Sequence, residues 1–186
     1  MIEIEPYDSG WPNEFGLIGA SIRDALGDRA IAIHHIGSTS VPGLAAKDII
    51  DVQITVSDLS ETIVSDMVAF GFILRPFRTD HCPPGMSLPP EELGKLMFIG
   101  PGRKANIHVR IAGKFNQRYP LLCRDYLRSH KTAADAYGEI KVQLAKYFPD
   151  NVDAYYDIKD PVFDVLMTGA NEWAQSESWD LPPTDA

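Results

Sequence analysis

The chain has 186 residues, of which 45% are hydrophobic and 23% are charged, and these values are typical of one globular domain rather than two. Its net charge is −9, whereas proteins that grip long nucleic acids usually carry a basic excess, so a non-specific DNA or RNA binder is excluded. No apolar run is long enough to span a bilayer, and the N-terminus lacks a signal-peptide pattern. We therefore expect a cytoplasmic protein with no membrane partner and two free thiols, at Cys82 and Cys123.

Hydrophobic periodicity predicts an α+β domain with a mixed sheet backed by helices and a helical C-terminal portion. The predicted strands are 30–36, 49–56, 72–74, 95–99 and 106–111. The predicted helices are 11–26, 59–70, 117–129, 132–147 and 152–175, and residues 76–94 are predicted to form a long loop. Residues 1–175 should form a single domain, and residues 176–186 a loose tail.

Some helix ends are also indicated by single residues. Gly27 should end the first helix, and Ser57 or Ser60 should cap the second. Pro120 fits the first turn of the helix predicted from residue 117, and Thr132 or Asp153 is suited to a cap position.

A glycine- and hydroxyl-rich loop begins at Gly37-Ser38, between the first two predicted strands. Such a loop exposes backbone N–H groups that hold an anion, usually a phosphate; alternatively, it forms only a tight turn at the end of a strand. Asp51 is the one acid in the following apolar strand, and period-two geometry puts Gln53 on the same face. A carboxylate facing a phosphate loop is typical of metal-assisted phosphoryl or nucleotidyl transfer, although pairing of Asp51 with Lys47 would also explain it.

The stretch HIGSTSVPGLAAK followed by an IDV strand closely resembles the GrpB family. The resemblance extends over roughly residues 5–174, through Tyr7-Asp8 with Trp11-Pro12 and through the strand Asn106-Ile-His108-Val. It includes the helical C-terminal half, at Arg124 to His130, Tyr137 with Lys141, and Tyr155 with Lys159.

That family is placed in the nucleotidyltransferase superfamily, so the resemblance implies a nucleotidyltransferase-like fold and a nucleotide or other small phosphate-containing ligand. It also implies a metal, Mg²⁺ or Mn²⁺, with Asp51 and His108 as catalytic residues and Asp51, Gln53 and His108 as metal ligands. This sequence departs from the superfamily pattern, because Gln53 stands where a second acid belongs and His108 at the third position.

The predicted phosphate-binding residues combine the loop with basic side chains that the resemblance brings to it. They are Gly37, Ser38, Thr39, Lys47, Arg124, Lys141 and Lys159. The leading hypothesis is a phosphate-ligand-binding protein that acts as a metal-dependent nucleotidyltransferase on a small acceptor. The missing second acid favours an alternative, which is a catalytically degenerate binding or accessory module linked to coenzyme A metabolism. The basic helix faces could also be merely solvated, His34 is predicted to be a core residue, and His35 is assigned equally to the core or the site.

Overall fold

The computed structural model describes residues 1–186, in which five strands and two α-helices precede three C-terminal α-helices. In chain order the elements are α1 Trp11–Leu26, β1 Ala32–Ile36, β2 Ile50–Val56, α2 Glu61–Ala69, β3 Ile73–Arg75, β4 Lys95–Ile99, β5 Ala105–Ile111, α3 Phe115–Ser129, α4 Lys131–Tyr147 and α5 Val152–Ser176. Short 3₁₀ turns occupy Gly27–Arg29, Ser38–Ser40 and Pro90–Glu92. Every predicted strand and helix is present, and the bounds differ by one or two residues.

Helix α3 begins two residues earlier than predicted, and Pro120 is its sixth residue rather than part of its first turn. The reason is a contact that the local sequence does not contain: the Glu92 carboxylate accepts the backbone N–H of Phe115 at 2.8 Å and so caps the helix from the preceding loop. Gly27 ends α1 and Ser60 occupies the N-cap position of α2, as predicted. The predicted caps Thr132 and Asp153 were wrong. His130 precedes α4, and the Asn151 side chain caps α5 by accepting the Ala154 N–H.

The strands form one mixed sheet in the order β1-β2-β5-β4-β3. Strand β2 runs parallel to β5, and the other three pairings are antiparallel, including the hairpin of β4 and β5. The register places Asp51 beside Asn106 and Gln53 beside His108. Because side chains alternate along a strand, these residues share one face of the sheet.

The opposite face of the sheet carries the main hydrophobic core. Helices α1 and α2 cover it, and buried side chains such as Trp11 and Ile22 pack there against Val52 and Ile107. A second, smaller core lies among α3, α4 and α5 and includes Leu122. None of the helices combines the length and the apolarity that a membrane span requires. The structure thus has an α+β fold in which three C-terminal helices face the polar side of the sheet.

The C-terminal tail, expected to be loose, instead lies along the outer edge of β1. The backbone N–H of Asp185 donates to the Ile33 carbonyl at 2.9 Å, and the Asp185 carboxylate accepts from the His35 N–H and from Arg124. The tail is held because β1 is an edge strand whose free backbone groups need partners, a requirement that the composition of the tail does not reveal.

Candidate functional site

A cavity of about 620 Å³ lies between the polar face of the sheet and the three C-terminal helices. The loop at Gly37-Ser38 forms one end of it, and the long loop 76–94 contributes to the other end. Asp51, Asn106 and His108 line it from the sheet. The cavity is therefore bounded by both halves of the chain, and neither half could form it alone.

Gly37 brings the loop backbone directly against the Asp51 carboxylate. Its φ of +70° lies in the left-handed region that favours glycine. A Cβ added there would lie 2.9 Å from the Asp51 Cβ, closer than real side chains approach one another. Because Asp51 also accepts a hydrogen bond from Asn106 Nδ2 at 2.9 Å, its carboxylate is fixed between the loop and β5.

Burial raises the pKa of Asp51, and this effect outweighs the hydrogen bond from Asn106 and the positive charges of Lys47 and Lys159, which lower it. Asp51 therefore ionises less readily than a surface carboxylate.

Three lysines surround the loop, and we call Lys47, Lys141 and Lys159 the lysine cluster. Lys141 is 2% exposed and donates from Nζ to the Ser38 hydroxyl at 2.8 Å and to the Ala45 carbonyl. Lys47 donates to the Tyr156 hydroxyl, and Lys159 pairs with Asp160 at 2.7 Å. Neither Lys47 nor Lys141 has a carboxylate partner within ion-pair distance. Burial, followed by the charges of Lys159 and Lys47, lowers the pKa of Lys141 to about 7.

Two buried tyrosine hydroxyls beside the lysine cluster have no hydrogen-bond partner. Tyr137 and Tyr155 are 2% and 0% exposed, and both line the cavity. The Lys141 ammonium lies 4.6 Å from the ring centroid of Tyr137. The Lys47 ammonium lies 5.3 Å from the ring centroid of Tyr155. A buried hydroxyl normally finds a partner, so a ligand that accepts hydrogen bonds would complete this end of the cavity.

Farther along the same sheet face lies a second charged cluster, the Asp80 network, in which every charge is paired. The Asp80 carboxylate accepts from Lys95 at 2.6 Å, from Arg110 at 2.8 Å and from Asn116 at 3.0 Å. Although burial alone raises the pKa of Asp80, the charges and hydrogen bonds of Arg110 and Lys95 outweigh it and hold that pKa well below its usual range.

Gln53, which was predicted to ligate a metal, belongs to this network. Its side-chain oxygen accepts from Arg110 Nη1 at 2.8 Å, and its amide nitrogen donates to the Gln117 carbonyl at 2.9 Å. The side chain is fully buried, and it does not line the cavity. Sequence periodicity placed it correctly on the face of Asp51, but could not show that Arg110 occupies its oxygen.

The donor set does not fit a resident Mg²⁺ or Mn²⁺ site. No group of three or more His, Cys, Asp or Glu side chains is arranged to hold a metal ion. With Gln53 engaged, Asp51 is accompanied by the neutral side chains of Asn106 and His108, whereas hard cations favour several carboxylate oxygens. Burial, followed by the charges of Arg110 and Lys95, lowers the pKa of His108 well below its usual value.

Thr39, which was predicted to bind phosphate, makes its hydrogen bonds inside the fold. The Thr39 hydroxyl shares a hydrogen bond with His35 Nε2 at 3.0 Å and donates to the Ile49 carbonyl at 3.4 Å. His35 in turn stacks on Phe15, with 4.8 Å between ring centroids, so it supports the loop from the core side. Burial lowers the pKa of His35 to about 4. His34 is buried against the tail, as expected of a core residue.

Arg124, also predicted to neutralise a phosphate, is engaged elsewhere in the structure. Its Nε donates to Asp125 at 2.7 Å, and its Nη1 donates to Asp185 at 2.7 Å and to the His35 carbonyl at 3.0 Å. These bonds join α3 to β1 and to the C-terminal tail. Arg124 therefore differs from Lys47 and Lys141, since its charge is already paired with carboxylates.

Sequence reasoning missed the Asp80 network. Its signal was present in β5, where Asn106, His108 and Arg110 alternate with apolar residues and so share a face. Asp80 itself carried no signal, because it lies in an irregular loop far from these strands in sequence.

The family model described as "GrpB protein" matches residues 1–168. A UPF0157 protein of Halalkalibacterium halodurans is 34% identical over 172 residues, which cover 91% of this chain and 83% of that protein. A dephospho-CoA kinase of Mycolicibacterium paratuberculosis is 30% identical over 199 residues, covering 96% of this chain and 48% of the kinase. The chain thus spans about half the length of that relative.

Two solved structures share the fold. The crystal structure of conserved protein GrpB from Enterococcus faecalis superposes with a TM-score of 0.75 at 27% identity, covering 93% of this chain and 99% of that chain. The structure of Cid1 in complex with its short product ApU gives a TM-score of 0.50 at 14% identity, covering 77% of this chain and 43% of Cid1. At that identity the likeness to Cid1 shows a nucleotidyltransferase-like fold and nothing further.

Proposed function

This chain belongs to the GrpB family, and from that premise we propose that it binds a small phosphate-bearing ligand where the lysine cluster meets the Gly37-Ser38 loop. The observation that carries the proposal is the convergence of unpaired donors on one end of the cavity. Lys47 and Lys141 lack carboxylate partners, and the hydroxyls of Tyr137 and Tyr155 lack any partner.

Burial of unpaired positive charge is unfavourable in the ligand-free protein. The three ammonium groups also repel one another, as the low pKa of Lys141 indicates. A polyanion reverses both costs, because phosphate oxygens accept hydrogen bonds from ammonium and phenol groups alike. A net charge of −9 for the whole chain is compatible with a local cationic pocket.

Metal-dependent nucleotidyl transfer to a small acceptor is a second candidate function, favoured by one observation. Asp51, a carboxylate, faces the loop within a nucleotidyltransferase-like fold. The side chains around Asp51 do not fit a resident metal, so Mg²⁺ or Mn²⁺ would have to arrive with the phosphates of the ligand. Binding that requires a divalent metal, and that is lost in Asp51→Asn, would support transfer over binding alone.

An accessory role in coenzyme A metabolism belongs to the same proposal. It is favoured by the dephospho-CoA kinase relative, which aligns with nearly all of this chain over about half of its own length. Dephospho-coenzyme A and coenzyme A are therefore included among the ligands to test.

The test is thermal unfolding of the purified protein with inorganic triphosphate, nucleoside triphosphates, dephospho-coenzyme A and coenzyme A, each with and without Mg²⁺ or Mn²⁺. A ligand present at 100 times its Kd stabilises the folded state by about 2.7 kcal/mol. We expect such a shift in the wild type and its loss in Lys141→Met. The matched control is Lys131→Met, which removes an exposed lysine paired with Asp135 on the surface of α4.

The proposal fails if none of these ligands raises the unfolding midpoint of the wild type. It also fails if Lys131→Met weakens binding as much as Lys141→Met does, because a general charge effect would then explain the shift.

A further inference from the structure

The end of the cavity away from the lysine cluster has an aromatic wall. The rings of Phe115 and Tyr119 lie 5.6 Å apart, and those of His81 and Tyr119 lie 6.1 Å apart. Tyr119 is held in place because its hydroxyl donates to Asp164 at 2.8 Å. All three side chains line the cavity, so a flat ligand group can lie against rings that are already fixed.

The same end contains an unpaired hydrogen-bond acceptor on Asn116. This side chain is 3% exposed, and its Nδ2 donates to Asp80 at 3.0 Å and to the Gly94 carbonyl at 2.9 Å. These two bonds fix which way the amide faces and leave Oδ1 without a partner. Because Asn116 lines the cavity, a ligand bound there is the available source of an N–H or O–H donor for Oδ1.

His108 supplies a second unpaired polar atom, Nδ1, between this end and the lysine cluster. It is two residues along β5 from Asn106, the partner of Asp51, which corresponds to about 6.8 Å. A ligand whose phosphate lies at the lysine cluster would therefore place a ring attached to that phosphate beside His108 and Asn116.

From this arrangement we infer that the ligand is a nucleotide, whose base lies against the aromatic wall and donates an N–H to Asn116 Oδ1, with His108 contacting the same base. The inference rests on the proposed function, since the lysine cluster must hold the phosphate of the same molecule. A phosphate ester without a base would leave Asn116 Oδ1 and His108 Nδ1 unpaired, and an unpaired buried polar atom costs about 1–3 kcal/mol. The base is thus the part of the ligand that gives selectivity, and the phosphate is the part that gives charge attraction.

The experiment is calorimetric titration of the wild type with inorganic triphosphate and with ATP, GTP, CTP and UTP. We expect at least one nucleotide to bind tenfold or more tightly than triphosphate. His108→Phe should reduce this preference severalfold and leave the affinity for triphosphate unchanged. The variant should fold, because it replaces a ring that has an unpaired nitrogen by an apolar ring of similar shape.

Thr55→Val is the matched control. Thr55 also has an unpaired buried oxygen and lies on the same face of the sheet as His108, but it does not line the cavity. This variant should leave both affinities unchanged. Saturation-transfer NMR of the wild type with the best nucleotide adds a readout independent of any variant: the base protons should receive more saturation than the ribose protons.

The outcomes separate the two proposals. If triphosphate binds and every nucleotide binds equally well, the base subsite is wrong and the phosphate site stands. Failure of every ligand to bind overturns both. An equal loss of preference in Thr55→Val and His108→Phe, or base protons less saturated than ribose protons, also overturns the base subsite.

Discussion

The Asp80 network and the lysine cluster lie on the same side of one sheet. The charges of the first are paired, whereas those of the second are only partly paired. In the Asp80 network each cation reaches a carboxylate or an amide oxygen, and Gln53 and Asn116 complete the set. In the lysine cluster two ammonium groups have no carboxylate partner, and two tyrosine hydroxyls beside them have no partner at all. The Asp80 network has its charges satisfied within the fold, whereas the lysine cluster leaves charges and donors open to the phosphate ligand that we propose.

The pKa shifts follow this difference. Asp80, surrounded by cations within hydrogen-bond distance, has a lowered pKa despite its burial. Asp51 has a raised pKa because burial outweighs its more distant cations. Lys141 has a lowered pKa because burial and the charges of Lys159 and Lys47 act in the same direction. Three predictions test whether the two clusters differ in this way.

The largest effect is expected from Asp80→Asn. The change keeps the shape of the side chain but leaves Lys95 and Arg110 as buried like charges, so we expect a loss of about 3–5 kcal/mol in the free energy of unfolding. Asp160→Asn is the control, because it removes the exposed partner of Lys159 and should cost under about 1 kcal/mol. Chemical denaturation measures both. Equal losses would mean that the Asp80 network contributes no more than a surface ion pair.

A smaller loss is expected from Gly37→Ala. The new Cβ would occupy a backbone conformation unfavourable for alanine and would displace the Asp51 carboxylate, for a total cost of about 3 kcal/mol. Gly43→Ala separates the two effects, since Gly43 has a φ of +82° but nothing within 4 Å of its added Cβ. That control should cost about 1–2 kcal/mol. We expect phosphate binding to be lost in Gly37→Ala and retained in Gly43→Ala, and the reverse would remove the loop from the site.

The third prediction concerns pH, and its effect is gradual rather than a loss at a single pH. The pKa of Lys141 is about 7 when folded, and an unfolded lysine has a pKa of about 10.4. Between these values the unfolded chain binds more protons, so stability should rise as pH increases from about 7 to 10. Affinity for phosphate should fall over the same range, because the ligand prefers the charged ammonium group.

Thermal unfolding and calorimetry of the wild type from pH 6 to pH 9 would measure both trends. Lys141→Met is the reference for the unfolding profile, because this titration is absent from it. Profiles that are identical in the two proteins would contradict a depressed pKa at Lys141.

The fold was largely predictable, because the periodic apolar residues of this chain report directly on which face of each element is buried. The start of α3 was not, since its cap comes from Glu92 in a distant loop. The tail was also mispredicted, because composition gives no sign that Asp185 meets both Arg124 and the backbone of β1.

The candidate site was also predictable only in part. Gly37, Ser38 and Asp51 are brought together by the local strand–loop–strand sequence, and Lys47 follows that loop directly. The structure places Lys141, Lys159, Thr39 and Arg124 at the same cavity, but Gln53 does not line it. The Thr39 hydroxyl and the Arg124 guanidinium are already engaged by partners within the fold. Their residue types gave no means of separating the two groups, because a basic or hydroxyl side chain serves either purpose.

The sequence by itself determined the α+β architecture, the family and the position of Asp51 beside a glycine loop, since these depend on local periodicity and on contiguous motifs. Only the tertiary structure decided which charges are paired. Asp80 comes from a loop, Arg110 from β5 and Lys141 from α4, and the pairing of such distant residues follows from how the sheet and the C-terminal helices pack together. Whether a buried charge stabilises the protein or awaits a ligand depends on that pairing, so this distinction could be read only in three dimensions.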